Sequence, residues 1–244
     1  MNDGFSAAEE IFGSITGLQA KESSDGASSA VAEARNEYGD TVAHDVHTEV
    51  LAPSVTYAVV GNVSSLPALG SIHTYKGKNI MLTQAVVTTQ AGQPPTVTLS
   101  GNEAEATATA KRTYAITIAL VPRCKAQDVA GALTPSTKFT AITTTYAVDF
   151  VNQTVAGVVV ASCATHGRTE VNATMTDGDG TGSISAKSQS DFSITSQESE
   201  TAPDGDYIQR NATLTKFLTG TEATTVQAPP PSGNGGTSGT GGGQ

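Results

Sequence analysis

Imidazole and thiol groups bind metals and act as bases or nucleophiles near neutral pH, so the histidines and cysteines come first. They are His44, His47, His73, His166, Cys124 and Cys163. His44 and His47 lie close together with Asp45 and Glu49 beside them, the composition of a metal site. Residues three apart on a strand point to opposite faces, however, so the pair does not converge and the segment reads as solvated polar residues. Asp177-Gly-Asp-Gly-Thr-Gly opens like a calcium loop, but an EF-hand requires glutamate at the twelfth position, where Ser188 stands. Asp-Gly is also the commonest hairpin signal, and a hairpin turn is expected there.

No nucleophile elbow, His-Glu-x-x-His, Walker loop or Gly-x-Gly-x-x-Gly is present. No serine or threonine has a histidine and an acid in a recognisable triad order. Asn-x-Ser/Thr triplets at Asn62, Asn152, Asn172 and Asn211 are what so much serine and threonine gives by chance. The opening residues lack the basic and apolar regions of a secretory signal, so these triplets carry no glycosylation meaning and a cytoplasmic start is expected. Cys124 and Cys163 each end an apolar run and read as buried free thiols, a single bridge being the alternative. No catalytic, cofactor or metal residue is assigned, and no enzyme is expected.

The elements that would carry any site are strands. Thr113 to Val121 alternates strictly, with Tyr114, Ile116, Ile118 and Leu120 on one face and Thr113, Ala115, Thr117 and Ala119 on the other. Similar patterns fall at Thr41–Val50, Ser54–Val60, Lys78–Thr89, Thr96–Ser100, Phe139–Phe150, Arg168–Met175, Gly182–Lys187, Phe192 with Ile194, and Tyr207–Leu218. Val155–Ala161 is apolar on both faces and reads as a buried strand. Asn62–Gly70, with Pro67, reads as a loop, Gly92-Gln-Pro-Pro as a firm break, and Gly101–Ala110 as a polar connection. Thr-Tyr-Ala recurs at Thr56, Thr113 and Thr145, but the unequal spacing argues against a repeat architecture.

Three helices are expected. Ser6 caps a short one through Phe12, with Ile11, Phe12 and Ile15 as its apolar side. Ala27–Tyr38, closed by Gly39, forms the second, and both belong to an N-terminal arm over residues 1–40. Lys125–Leu133 is the third, flanking the sheets with Val129 and Leu133 one turn apart. The β domain would span 41–221, and residues 222–244 form a flexible Pro/Gly/Ser-rich tail.

Composition bounds the use. Charged residues are 15% of the 244, against roughly 25% in an average soluble domain, and tryptophan is absent. A core assembled from valine, isoleucine, leucine and alanine gains little burial per residue, so neighbouring subunits are expected to contribute stability. Net charge is −10, from 23 acidic and 13 basic residues, which argues against a grip on nucleic-acid backbone. No apolar stretch of about 18 residues exists to cross a membrane as a helix.

Three passages, Gln84-Ala-Val-Val-Thr-Thr-Gln-Ala-Gly-Gln-Pro-Pro-Thr-Val-Thr-Leu-Ser-Gly, Ile118-Ala-Leu-Val-Pro-Arg-Cys-Lys-Ala-Gln-Asp-Val and Asn211-Ala-Thr-Leu-Thr-Lys-Phe-Leu, carry a resemblance. In texture they resemble β-rich virion proteins of tailed bacteriophages, tail tube subunits in particular. The resemblance implies an antiparallel β-sandwich or barrel with a flanking helix, stacked in homo-oligomeric rings through sheet edges, loops and the N-terminal arm. Its partners would be itself and other virion proteins, assembled in the host cytoplasm, with an acidic lumen for passage of DNA. No functional residue is carried over. The alternatives are a capsid decoration or adaptor protein tethered by the Gly-rich tail, and a carbohydrate-binding or adhesin-like surface module. The last usually displays aromatics for stacking, and here the tyrosines fall in phase with apolar strand faces.

Overall fold

The alternation from Thr113 to Leu120 is reproduced in three dimensions: Tyr114, Ile116, Ile118 and Leu120 are buried while Ala115, Thr117 and Ala119 are exposed. In this computed structural model the described residues are 11–26, 31–35, 41–46, 51–105, 112–155, 158–178, 182–188, 190–201 and 207–222. Their strands begin with β1 (Leu18–Ser24), β2 (Val31–Arg35), β3 (Thr41–Val46), β4 (Ser54–Val59) and β5 (Val63–Leu69). Next come β6 (Ile72–Tyr75), β7 (Lys78–Gln90), β8 (Gln93–Ala104), β9 (Arg112–Leu120) and β10 (Phe139–Val155). The last four are β11 (Val158–Asp177), β12 (Ser193–Thr201), β13 (Ile208–Phe217) and β14 (Thr221–Glu222).

The chain is mainly β, and every strand pair is antiparallel. A nine-stranded sheet follows the order β1-β4-β8-β7-β10-β11-β13-β12, with β6 beside the start of β7. A second sheet is β14-β9-β5, and β2 and β3 form a separate hairpin. β9 and β5 turn their apolar residues onto the large sheet, where Leu66, Leu69, Ile116 and Leu120 share one core with Val55, Tyr57, Val87 and Leu99. A second apolar cluster lies under β10, β11 and β13, closed by Leu133 and Ile184 from loops. The large sheet does not close into a barrel: its order ends at β1 and β12, which do not pair with each other.

β10 and β11 outrun their neighbours. β10 pairs with β7 over Ala141–Ala147 and β11 with β13 over Arg168–Asp177, but the two continue together to Val155 opposite Val158. At the exit Val148 stands against both His166 and Gly167, and His166 takes a left-handed φ of 50°. Such a bulge bends a ribbon. The bent ribbon sets Phe150 and Ala164 against the core, and Ser162 Oγ accepts a hydrogen bond from the Glu105 amide at 3.1 Å. Gly167 is required beneath the Tyr114 ring, since a Cβ there would lie 2.3 Å from it. The ribbon thus clasps the large sheet to the small one.

Several expectations are corrected. The helix expected over Ala27–Tyr38 is replaced by β2, which pairs with β3; a lone helix of that length is marginal, and cross-strand pairing prevails. The N-terminal segment is therefore not a helical arm, because β1 pairs with β4 inside the large sheet. Of the expected helix Ser6–Phe12 only Ile11–Phe12 lies among the described residues; it is helical and buried. No flanking helix forms at Lys125–Leu133. There Asp128 accepts the amides of Ala130 and Leu133 at 3.2 and 2.7 Å, and Gln127 bonds both backbone groups of Val121, so side chains take the bonds a helix would need.

Asn62–Gly70 is not a loop but contains β5, whose Pro67 is tolerated because β5 pairs with β9 on one side only. The break at Gly92-Gln-Pro-Pro shrinks to the turn Ala91–Gly92. Pro94 and Pro95 lie inside β8, beyond the reach of β4, which joins β8 at Thr96. β8 runs on to Ala104, so the polar connection begins later than expected. Val155–Ala161 is not one strand: Val155 ends β10 and Val158 opens β11, which pair antiparallel, and residues 156–157 lie outside the described residues. Gly182–Lys187 forms no strand, only a single bridge from Ala186 to Leu133. Residues 223–244 lie outside the described residues.

Candidate functional site

The side chains singled out for chemistry are scattered. His44 and Asp45 fall in β3, while His47 and Glu49 lie outside the described residues. His73 is half-buried on β6, its ring edge-on to Phe12, and burial lowers its pKa below the usual imidazole value. His166 is exposed at the ribbon bulge, 3.3 Å from Asp149. Among the described residues no group of three or more metal-ligating side chains forms. Asp177 is fully buried, and its carboxylate accepts from Lys138 Nζ and from the Gly182 amide. It ties Gly182 back to the end of β11; residues 179–181 of the hairpin turn expected there lie outside the described residues. Cys124 and Cys163 are both free, as the first reading expected; Cys124 is exposed and Cys163 half-buried, so neither is the buried thiol inferred from its apolar run.

One pair escaped the sequence reading. Ser71 Oγ lies 2.8 Å from His73 Nε2, the contact of a nucleophile and its base. Among the described residues no carboxylate orients the other ring nitrogen, so the dyad lacks its third member. Ser71 immediately precedes β6, and the i, i+2 spacing was a visible signal, since residues so spaced in extended chain share a face.

What the fold does assemble is one broad surface. The large sheet's inner side meets the core, and its other side is open. Register aligns Thr56, Thr98, Val86, Thr145, Glu170 and Thr215 in one row across six strands. The next row is Ala58, Thr96, Thr88, Thr143, Asn172 and Thr213. In these rows the only charge is Glu170. The hydroxyls and amides bond one another across strands: Thr56 with Thr98 at 3.1 Å, Thr213 to Asn172 at 2.7 Å and Thr174 to Asn211 at 2.9 Å. Asn172-Ala-Thr174 and Asn211-Ala-Thr213 are two of the Asn-x-Thr triplets, and in register each asparagine receives the other's threonine. They floor an open groove of about 380 Å³ bordered by Ser196 and Glu198 of β12.

The two edges of this surface differ from the interior. At β12 all nine residues are exposed, on both faces of the sheet. At β1 only Ala20 is buried, and Lys21 sits at an irregularity in the pairing with β4. Near the ribbon base Arg168 and His166 flank Asp149, and the Arg168 guanidinium, chiefly, holds that carboxyl below its usual range. Phe217, opposite Arg168, is 76% exposed. No protein-family model and no curated protein matches the chain.

Proposed function

We propose that this chain is a self-assembling structural subunit, most consistent with the ring or tube of a tailed-phage particle, in the form of an open two-layer β-sandwich. The observation that carries the reading is β12: nine residues with neither face buried and, among the described residues, one edge unpaired. A strand held by one ladder alone is marginal in water, so it gains most from a neighbouring subunit. The mainly hydroxylated face, with few charges, supports the same reading. It offers a polyanion nothing to grip, with carboxylates at Glu22, Glu170, Glu198 and Glu200 against Arg168. A lumen lined by it is weakly acidic and mainly hydroxylated. Phe217, 76% exposed on that face opposite Arg168, is the feature that favours the alternative of a sugar-binding module.

The test is negative-stain electron microscopy with sedimentation velocity across a concentration series of the full chain. Rings or tubes are expected. A chain that stays monomeric up to millimolar concentration sinks the reading.

A further inference from the structure

The open face of the large sheet carries one line of side chains that assembly through strand edges leaves unused. β13 places Asn211, Thr213, Thr215 and Phe217 there at alternate positions, in register with Thr174, Asn172, Glu170 and Arg168 of β11. Six residues of strand span about 20 Å. At the Asn211 end lies the groove of about 380 Å³, with Asn172, Thr174 and Thr213 on its floor and Ser196 and Glu198 of β12 as its wall. At the other end stands the exposed Phe217 ring. A lone exposed ring signifies little. This one stands in line with a groove.

The groove is equipped for hydroxyl groups. Glu198 lies in register opposite Asn211, which sets their Cβ atoms about 5 Å apart. The Asn211 side-chain oxygen accepts from Thr174. Among the described residues its NH2 group, the Ser196 hydroxyl and the Glu198 carboxylate have no hydrogen-bond partner. A carboxylate only accepts and an amide NH2 only donates, so the two together match a hydroxyl, which does both. Phe217 adds an apolar face on which the C–H side of a sugar ring can lie. Charge then selects among saccharides. Glu170 and Glu198 border the line, while Arg168 is paired with Asp149 at 2.8 Å and His166 lies 3.3 Å from the same carboxylate. Such a surface repels an acidic polymer and is indifferent to a neutral one.

We infer that this line is a binding track for a neutral oligosaccharide, its hydroxyls held at Asn211, Ser196 and Glu198 and one ring seated on Phe217. Its length suits several linked sugars better than one. The track does not depend on self-assembly, which draws on the free edge of β12 and leaves the face open.

The test runs the full chain against a panel of immobilised neutral oligosaccharides built from hexoses and N-acetylhexosamines. Uronic-acid oligosaccharides and a lysine-rich peptide stand beside them, and hits are titrated by isothermal calorimetry. Binding of at least one neutral member is expected, with neither the acidic chains nor the peptide retained. Phe217→Ala and Glu198→Gln are each expected to weaken that binding about tenfold, and Phe217→Tyr to preserve it. Both positions are exposed, so unchanged thermal melts show that folding is intact. Three results overturn the track: no neutral member bound up to millimolar oligosaccharide, retention of the acidic chains or the peptide instead, or binding indifferent to both substitutions. None of them bears on self-assembly, which the sedimentation series reads separately.

Discussion

Asn172 and Asn211 illustrate how much of this surface is settled by single side chains. Each accepts a hydroxyl proton from the threonine opposite, and Asn172 also donates to Glu170 at 2.8 Å. Replacing Asn172 by alanine is expected to cost about 1 kcal/mol in urea unfolding. Thr213→Val should cost a similar amount, and the double variant less than their sum, because both remove one bond. Tyr146 presents the converse case. Its ring is buried and its hydroxyl has no hydrogen-bond partner among the described residues, while burial, with a smaller push from Asp128, raises the phenol pKa well above the ordinary value. A pKa raised on folding means that stability is full below the unfolded value of about 10 and falls as pH rises past it. Tyr146→Phe should therefore be neutral or slightly stabilising at pH 7, and should flatten the loss between about pH 10 and 12 in a melt series.

At the scale of elements, the N-terminal segment belongs to the core. Ile11 and Phe12 are buried, and Ala20 is buried opposite Tyr57 on β4. Deleting residues 1–40 is thus expected to lower the melting temperature sharply, by roughly ten degrees or more, and not merely to block assembly. A truncated chain with an unchanged melt would contradict that placement. Strands with clean alternation, such as β4, β9 and β13, were legible because one face is buried and the period is two. β2 was not, since alanine and glutamate suit a helix until β3 supplies a partner. β5 was hidden by Pro67, which an edge strand accommodates. The false helix at Lys125–Leu133 had the right apolar spacing, but Asp128 and Gln127 spend their side chains on the backbone. The open face was legible only strand by strand: its rows come from register between segments up to about sixty residues apart. The Asn-Ala-Thr triplets were visible, but their reciprocal pairing was not.

For the molecule as a whole, charge sets when copies can meet. Two chains of net charge −10 repel at long range. Salt screens that repulsion, since the screening length falls from about 30 Å at 0.01 M to about 3 Å at 1 M. Assembly is therefore expected to strengthen as salt rises from roughly 0.01 to 0.15 M, as followed by light scattering. Assembly that weakens over that range would indicate that contacts between opposite charges dominate instead.

The small sheet has a consequence for timing. Its three strands come from residues 63–69, 112–120 and 221–222, and its outer strand is the last described segment of the chain. During synthesis β9 emerges about a hundred residues before β14, at roughly 5–20 residues per second. Until residues 221–222 have been made the small sheet is two strands wide, and a growing chain carries an unpaired edge on β9 for that interval.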